Sequence, residues 1–409
     1  MNYLEKLLEG VKVEWKTVDE LFNIKNGYTP SKKNKIYWTN GTVPWFRMED
    51  LRENGQILEK SIQKVTKEAV KGGNLFPANS IIMATSATIG EHALVKVPYL
   101  SNQRFTNLSL KNEYNDRFID KFIFYYSYLL AEWCKNNTTK SSFASVDMNG
   151  FKKFEFPIPC PDNPVKSLEI QQKIVDILDK FTELTAELTA ELTARKQQYS
   201  YYREQLLSFD QNEVEWKKLN EIVSKTSNLK WEENNSSYRY IDLSSVCRDK
   251  NIITETTEIT KENAPSRAKK IVLKDDVIFA TTRPTQQRLC LITEEYSNQV
   301  ASTGYCVLRA NREKVLPKWI YFWMASNKFK SYLEDNQSGS AYPAISDNKV
   351  KDFIMPIPPL EEQARIVSIL DKFDKITTSI NEGLPKEIEL RQKQYEYYRE
   401  MLLSFPKPA

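Results

Sequence analysis

The stretch RKQQYSYYREQLLSF at 195–209 returns as RQKQYEYYREMLLSF at 391–405, identical at 11 of 15 positions. IQQKIVDILDKF at 170–181 returns as EQARIVSILDKF at 362–373, identical at 8 of 12. A period near 196 in a chain of 409 residues means two copies of one plan. The copies diverge unevenly. Their helical parts match closely, whereas the 150 or so residues before each match only at scattered landmarks. That division suggests a fixed frame carrying two interchangeable heads.

A length of 409 exceeds one compact core and suits two domains of about 150 residues with helical connectors. The expected division is a head over 1–155, a central helix over 156–210, a second head over 211–355 and a distal helix over 356–409. Hydrophobic content of 41% and aromatic content of 12% supply real cores and argue against wholesale disorder. Net charge is only +4, with 22 basic against 17 acidic residues in 1–155 and 22 against 20 in 210–355. Nucleic acid is therefore permitted without being demanded, and an acidic mimic of DNA is disfavoured.

The five cysteines, Cys134, Cys160, Cys247, Cys290 and Cys306, form no C-x-x-C pair, and His92 is the only histidine. Spacing therefore assembles no zinc site, and isolated, partly buried thiols in a reducing cytosol are expected. The start MNYLEKLLEG carries acids and no apolar core, unlike a signal peptide. FIFYYSYLLAEW at 122–133 is too short and too polar to span a bilayer. A soluble, cytoplasmic chain is the expectation.

Between Ser167 and Phe209, Ile174, Ile177, Leu178, Phe181, Leu184, Leu188, Leu192, Tyr199, Tyr202 and Leu206 recur at three- and four-residue steps. The pattern predicts a helix of about 38 residues, roughly 57 Å long. It follows the Pro-rich FPIPCPDNP (156–164), which no helix includes. The second copy follows MPIPPLEEQ (355–363) and runs to Phe405, and Gly383 and Pro385 predict a break within it. Antiparallel pairing of the two helices is the economical way to bury both apolar stripes. Packing of each helix on its own domain is the alternative. Within the first helix, residues 182–194 (TELTAELTAELTA) hold two complete TAEL units. Four helical residues advance about 6 Å and turn about 40°, close to the twist of one DNA base-pair step. TAEL is also simply good helix-forming sequence.

The heads share VEWK (13–16 and 214–217), IIMAT with VIFAT (81–85 and 277–281), and SNQ (101–103 and 297–299). SSFASVDMNGFKKFEFPIP (141–159) parallels SAYPAISDNKVKDFIMPIP (340–358). The regions around 80–110 and 276–309 read as short strands, and 121–135 and 318–333 as one buried, aromatic-rich helix in each head. Those aromatics are expected in cores rather than as a base-stacking platform.

The loops differ between heads. NGYTPSKKNKIYWTNG (26–41) sets Lys32, Lys33 and Lys35 beside Tyr28, Tyr37 and Trp38. TTRPTQQRL (281–289) sets Thr281, Thr282, Arg283, Gln286, Gln287 and Arg288 in a short span. Arg and Gln bond bidentately to guanine and adenine edges, whereas Lys and Thr suit phosphates. Further polar loops add Ser86, Thr88, Gln103, Arg104, Lys140, Ser141, Ser340 and Tyr342, with Arg47, Thr85, Arg239 and Gln299 completing the candidates. For any one of these residues, a solvated surface role is the competing reading.

Catalytic signatures are missing. No G-x-G-x-x-G, G-x-x-x-x-G-K-[ST], H-E-x-x-H or N-P-P-[YF] motif occurs, and 11 glycines leave little for phosphate loops. A lone histidine gives little material for acid–base chemistry, and His92 reads as a surface or strand residue. The chain is not expected to be an enzyme by itself.

With PIP-type lead-ins, ILDKF, the TAEL tract, QY-x-YYRE-x-LLSF and two divergent heads, the whole chain resembles the specificity subunit of type I restriction–modification systems. It is most similar to the class whose spacer helix carries TAEL units. The resemblance implies an α+β fold: two mixed α/β target-recognition domains separated by two long antiparallel helices, with an internal pseudo-twofold repeat. It implies that each head reads one half of a split, asymmetric sequence in double-stranded DNA. The helices would set the gap and dock two methyltransferase subunits through Phe181, Leu184, Leu188, Leu192, Tyr199, Tyr202, Leu206, Phe373, Tyr395, Tyr398 and Leu402. Partner subunits would use S-adenosylmethionine to methylate adenine, and translocating restriction subunits would use ATP and Mg. No cofactor or metal would be bound by this chain, and no membrane would be contacted. Two other function classes compete: a coiled-coil adaptor whose heads bind proteins, and a metal-dependent nuclease with unrecognised carboxylates.

Overall fold

In a computed structural model of the chain, the described residues are 3–139, 144–248, 250–378 and 383–407. The chain divides into two compact units, Met1–Leu184 with Arg391–Ala409, and Thr185–Leu390. Each unit therefore combines one head with helical pieces from both copies of the repeat.

In the first unit, a five-stranded sheet has the order Phe22–Asn26, Phe105–Leu110, Ser80–Ala84, His92–Val95, Ile57–Leu58. Its neighbours are antiparallel except the last pair. A smaller sheet holds Val43–Phe46 between Lys64–Val65 and, in parallel, Leu100–Ser101. The second unit repeats the plan, with Val223–Ser224, Tyr305–Ala310, Val277–Ala280 and Leu289–Leu291 antiparallel in that order. Its second sheet, also four-stranded, runs Thr257–Ile259, Tyr238–Ile241, Gln299–Ser302, Ala268–Val272. IIMAT and VIFAT thus form the same central strand. The SNQ match does not survive as an equivalence. Leu100 lies beside Trp45 and Val300 beside Tyr240, so these strands correspond at an offset of 200, not 196.

VEWK and PIP are partners. Val13–Thr17 pairs antiparallel with Glu155–Pro159, Trp15 opposite Pro157, and Glu215–Lys218 pairs with Ile354–Ile357, Trp216 opposite Pro356. A two-stranded ribbon has free edges, where proline's missing N–H costs no ladder bond. The first long helix then runs Pro164–Leu206, 43 residues, starting three residues before the Ser167 expected from periodicity. The Asn163 side chain accepts from Lys166 N at 3.1 Å, capping it, with Pro164 in the first turn. The distal stretch is described as two helices, Leu360–Thr378 and Gly383–Leu403; residues 379–382 lie outside the described residues. Gly383, at the very start of the second of these, sits at φ 78°, a left-handed value that a continuous right-handed helix could not pass through.

The aromatic helix of the first head, Asp120–Asn136, is one element with Phe122, Phe124, Tyr125 and Tyr126 buried. Its counterpart is two helices, Pro317–Met324 and Asn327–Asn336, correcting the expectation of one. Ser326 causes the break by capping the second piece, its side chain accepting from Phe329 N.

These head helices fix the direction of the long ones. In the first unit, Gln171 meets Ile119 and Asp179 meets Tyr125, so the long helix runs with Asp120–Asn136. Phe405 meets Phe122 while Arg399 meets Tyr128, so the C-terminal helix runs against it. In the second unit, Gln363 meets Leu316 and Asp371 meets Lys318, while Phe209 meets Trp319 and Glu204 meets Asn327. In both units, the two helical segments are antiparallel.

The repeat motifs make the same bonds twice. Gln171, fully buried, accepts from Ile119 N at 2.9 Å and donates to Arg117 O at 2.8 Å. Gln363, also fully buried, accepts from Leu316 N at 2.9 Å and donates to Lys314 O at 3.1 Å. Lys121 and Lys318 pair with Asp179 and Asp371. Leu402, Leu403 and Phe405 enter the first unit's core, and Leu207 enters the second's with Phe209 packed against it.

His92 is buried against Phe124 and Tyr128, with Nδ1 at 3.1 Å from Gly90 O. Burial above all holds its imidazole down at about 4, so it stays neutral in the fold. Burial pushes the thiols of Cys134, Cys290 and Cys306 up to about 12, so they stay protonated at neutral pH. No helix among the described residues is long and apolar enough to cross a membrane.

Two predictions follow from this packing. Gln171→Met strands a buried N–H and a buried carbonyl, so the denaturant midpoint falls by the equivalent of about 2–4 kcal/mol. Gln172→Met, at an exposed neighbour, shifts it by less than about 0.5 kcal/mol. His92, depressed in the folded state, contributes stability that is complete above its unfolded value near 6.5 and is lost as pH falls towards 4. Between pH 7 and pH 5 the native chain should lose about 2 kcal/mol that His92→Gln does not lose, measured by denaturant titration at each pH.

Candidate nucleic-acid interface

In both units the strand that ends IIMAT or VIFAT delivers its last threonine to a rim of loops. In the first unit, Val146 N donates to Thr85 O at 3.0 Å and Thr85 N donates to Arg104 O at 3.1 Å. Ser86 bridges Ser145 and Thr138 bridges Val146, tying the loop after the strand to the one after the aromatic helix. The Thr29 hydroxyl donates to Gln103 Oε1 at 2.5 Å, and Trp38 Nε1 donates to Ser31 O at 3.1 Å. These bonds join Thr85, Ser86, Gln103, Arg104 and the Lys32–Lys33–Lys35 loop into one continuous edge. Gln103, Arg104 and the three lysines are exposed. Lys140 and Ser141 lie outside the described residues.

In the second unit, Ile345 N donates to Thr281 O at 2.9 Å and Thr282 bridges Ala344. Arg283 N donates to Pro343 O at 2.7 Å. This loop pair is the counterpart of Ser86 with Ser145, carrying different side chains on the same backbone frame. Arg283 takes the left-handed conformation at φ 50°, and its guanidinium lies 5.8 Å from the centre of the Tyr342 ring. Tyr342 is 73% exposed, and Thr282, Gln286 and Ser340 are exposed beside it in the two loops. An exposed Arg held over an exposed ring offers a planar donor fork and a stacking face together.

Other candidates have bonds within the protein. Gln287 Nε2 donates to Met324 O and Ser326 O, both at 3.1 Å, closing the end of Pro317–Met324. The Arg288 guanidinium donates to Leu243 O. Thr281 Oγ1 donates to Gly304 O, and Thr85 shares its hydroxyl proton with Thr106. The Thr88 hydroxyl is buried and finds no partner among the described residues. Arg47 lies over Trp45 and is half-buried. Arg239 is tied to Glu295 at 2.7 Å, and its N–H donates to Gln299 Oε1. Both sit at the end of Gln299–Ser302 far from Gly304, so they lie apart from the Thr281–Arg283 rim.

The helix candidates divide in the same way. Phe181 stacks on Tyr398 at 5.1 Å in the first unit, and Phe373 receives Tyr199 at 6.1 Å and Tyr202 at 5.7 Å in the second. Leu402 is buried, Tyr395 and Leu206 are partly buried against the cores, and burial pushes the Tyr199 phenol up. Leu188 and Leu192 are half-buried, and Leu184 is 44% exposed. Sequence reasoning missed the outward tyrosines of the motif, Tyr201 and Tyr397, which are 62% and 64% exposed. Only the helical phase relative to the covering core separates them from Tyr202 and Tyr398. In the TAEL tract, Thr189 donates to Thr185 O and Thr193 to Thr189 O, so the repeating threonines satisfy themselves on their own helix.

Residues 11–195 and 211–390 both match the type I restriction modification DNA specificity domain. The chain belongs to the type I restriction–modification specificity-subunit family. It is 47% identical to the type I restriction enzyme EcoprrI specificity subunit of Escherichia coli, over 93% of this chain and 92% of that one. It is 34% identical to the EcoR124I/EcoR124II specificity subunit of Escherichia coli, over 100% and 98%. A crystal structure of a type I restriction–modification S subunit from M. genitalium shares the fold, with a TM-score of 0.51, 16% identity and full coverage of both chains. A specificity subunit is the non-catalytic member of its system, and DNA-sequence recognition is what the family implies for it. Among the described residues, no group of three or more His, Cys, Asp or Glu could hold a metal ion.

The bonding pattern separates side chains held within the protein from those left exposed on the rim. Gln287→Leu should lower the melting temperature of the chain by several degrees, because the helix-end carbonyl of Met324 loses its side-chain donor and the Ser326 carbonyl loses one of two. Arg283→Ala, at an exposed side chain of the same loop, should leave melting within about a degree in the same measurement.

Proposed function

We propose that each unit's rim reads one half of a split, asymmetric DNA sequence, and that the helices act as the ruler between the halves. The observation that carries this reading is the doubled frame. Gln171 and Gln363 make matching bonds, and so do Ser86–Ser145 and Thr282–Ala344, yet the side chains presented on the two rims differ. A repeated scaffold with divergent, exposed polar loops suits a protein that reads two unlike half-sites with one docking geometry. In functional terms the heads are residues 1–155 and 211–355, and the spacers 156–210 and 356–409. Thr282, Arg283, Gln286, Ser340 and Tyr342 are the base-reading candidates of the second head, and Ser86, Gln103 and Arg104 those of the first.

The chain's partners in this reading are two methyltransferase subunits docked on the spacers, with translocating restriction subunits completing the assembly. Tyr201 and Tyr397 are the outward-facing tyrosines available to matching partners at the two copies. The methyltransferase subunits would use S-adenosylmethionine on a flipped adenine, and the restriction subunits ATP and Mg. This chain supplies the address.

The deciding experiment is selection from random duplex DNA by the chain co-assembled with its methyltransferase subunits. A split motif with a fixed internal gap is expected. A contiguous motif, or none from a folded assembly, would favour an adaptor whose heads bind proteins. Inserting one TAEL unit after Leu192 should lengthen the selected gap and leave both half-sites unaltered. An unaltered gap would sink the ruler.

A further inference from the structure

We propose that the small sheet of the first head carries a lysine apron that grips the DNA phosphate backbone without reading sequence, and that the second head lacks it. The proposal rests on the DNA-reading role above and assigns part of that contact to residues other than the base-reading candidates Ser86, Gln103 and Arg104. Six lysines converge there: Lys32, Lys33 and Lys35 on one loop, and Lys64, Lys67 and Lys71 on the neighbouring strand and turns. The Thr66 N–H donates to Tyr37 O at 3.0 Å, joining the two segments. Gly41 lies so close to the Lys64–Val65 backbone that a Cβ would come within 2.5 Å of Val65 C, which keeps the first loop tight against the strand. Lys71 N donates to Tyr28 Oη at 2.9 Å, and its Nζ lies 4.7 Å from the centre of the same ring. Beneath them, Trp38 and Trp45 meet edge to face at 5.0 Å, so the loops rest on a packed aromatic base.

All six lysines are exposed, and among the described residues none makes a salt bridge. Residues 26–45 and 59–76 together hold seven basic side chains against two acidic ones, Glu59 and Glu68. The corresponding spans of the second head, 225–240 and 254–270, hold seven against five. There the cations are partly neutralised: Lys230 pairs with Glu233, Arg239 with Glu295 and Lys270 with Asp347. Ion-paired side chains release fewer counterions on binding than free ones, so equal numbers of bases do not give equal grip. Lysines suit phosphate as point charges and carry little base information.

The test is the salt dependence of duplex binding by the full chain assembled with its methyltransferase subunits. Each phosphate contact contributes about 0.9 to the slope of log affinity against log salt concentration. The six-lysine variant, Lys32, Lys33, Lys35, Lys64, Lys67 and Lys71 each to Gln, should lower that slope by about four to five. Its preference for the selected sequence over one altered in either half should change less than twofold. Lys225→Gln with Lys261→Gln and Lys269→Gln, the control in the second head, should lower the slope by less than one. An unchanged slope in the six-lysine variant, with selective binding retained, overturns the apron alone. Loss of preference at one half-site makes these lysines base readers and also overturns it. Wild-type assembly that binds no duplex selectively overturns the DNA-reading role, and the apron with it.

Discussion

Each head is finished by a helix from the other copy of the repeat, and the rest of the structure depends on that exchange. The first head's core is completed by Leu402, Leu403 and Phe405, nearly at the end of the chain, and the second's by Leu207 and Phe209. A helix used in this way has to bury apolar surface on a foreign head and stack beside its neighbour. Phe181 with Tyr398, and Phe373 with Tyr202, make that second contact in the two units. The near-identity of LLSF and ILDKF in the two copies then has a mechanical cause, because both serve one closure geometry.

The polar centre of that closure is the buried Gln171 or Gln363. Each satisfies the backbone just before its head helix, an N–H and a carbonyl that would otherwise be stranded in an apolar core. The glutamine specifies where the long helix sits along the head, since a shift of one turn would leave its amide and the backbone groups without partners. With the frame held there, the loops on the rim do not close the core, and their side chains are free to differ. Gln287 marks the limit of that freedom: it lies among the rim residues yet holds the end of a helix.

Much of the frame was legible in the sequence because periodicity and self-similarity are local signals. The helix before Phe209, the break near Gly383 and the aromatic cores all follow from residues close together in the chain. The site was legible only as a set of loops. Arg283 and Gln286 remain exposed, whereas Arg288 in the same loop donates to Leu243 and Arg239 is bound to Glu295. Nothing in TTRPTQQRL or around Arg239 marks which arginines are held, since their acceptors lie 45 or more residues away in sequence. SNQ misled for a related reason: three matching letters carry no information about which strand lies alongside.

By itself the sequence determined that there are two copies of one plan, that long helices carry the matching parts, and that the heads differ in their polar loops. Tertiary structure decided which copy's helix closes which head, which tyrosine of each YY pair stacks on a phenylalanine of the other copy, and that Lys64, Lys67 and Lys71 join the loop of Lys32, Lys33 and Lys35. The physical reason is common to all three. Helical phase and strand composition fix which residues share a face, but only the surface packed against that face decides whether it is core, support or free for a partner.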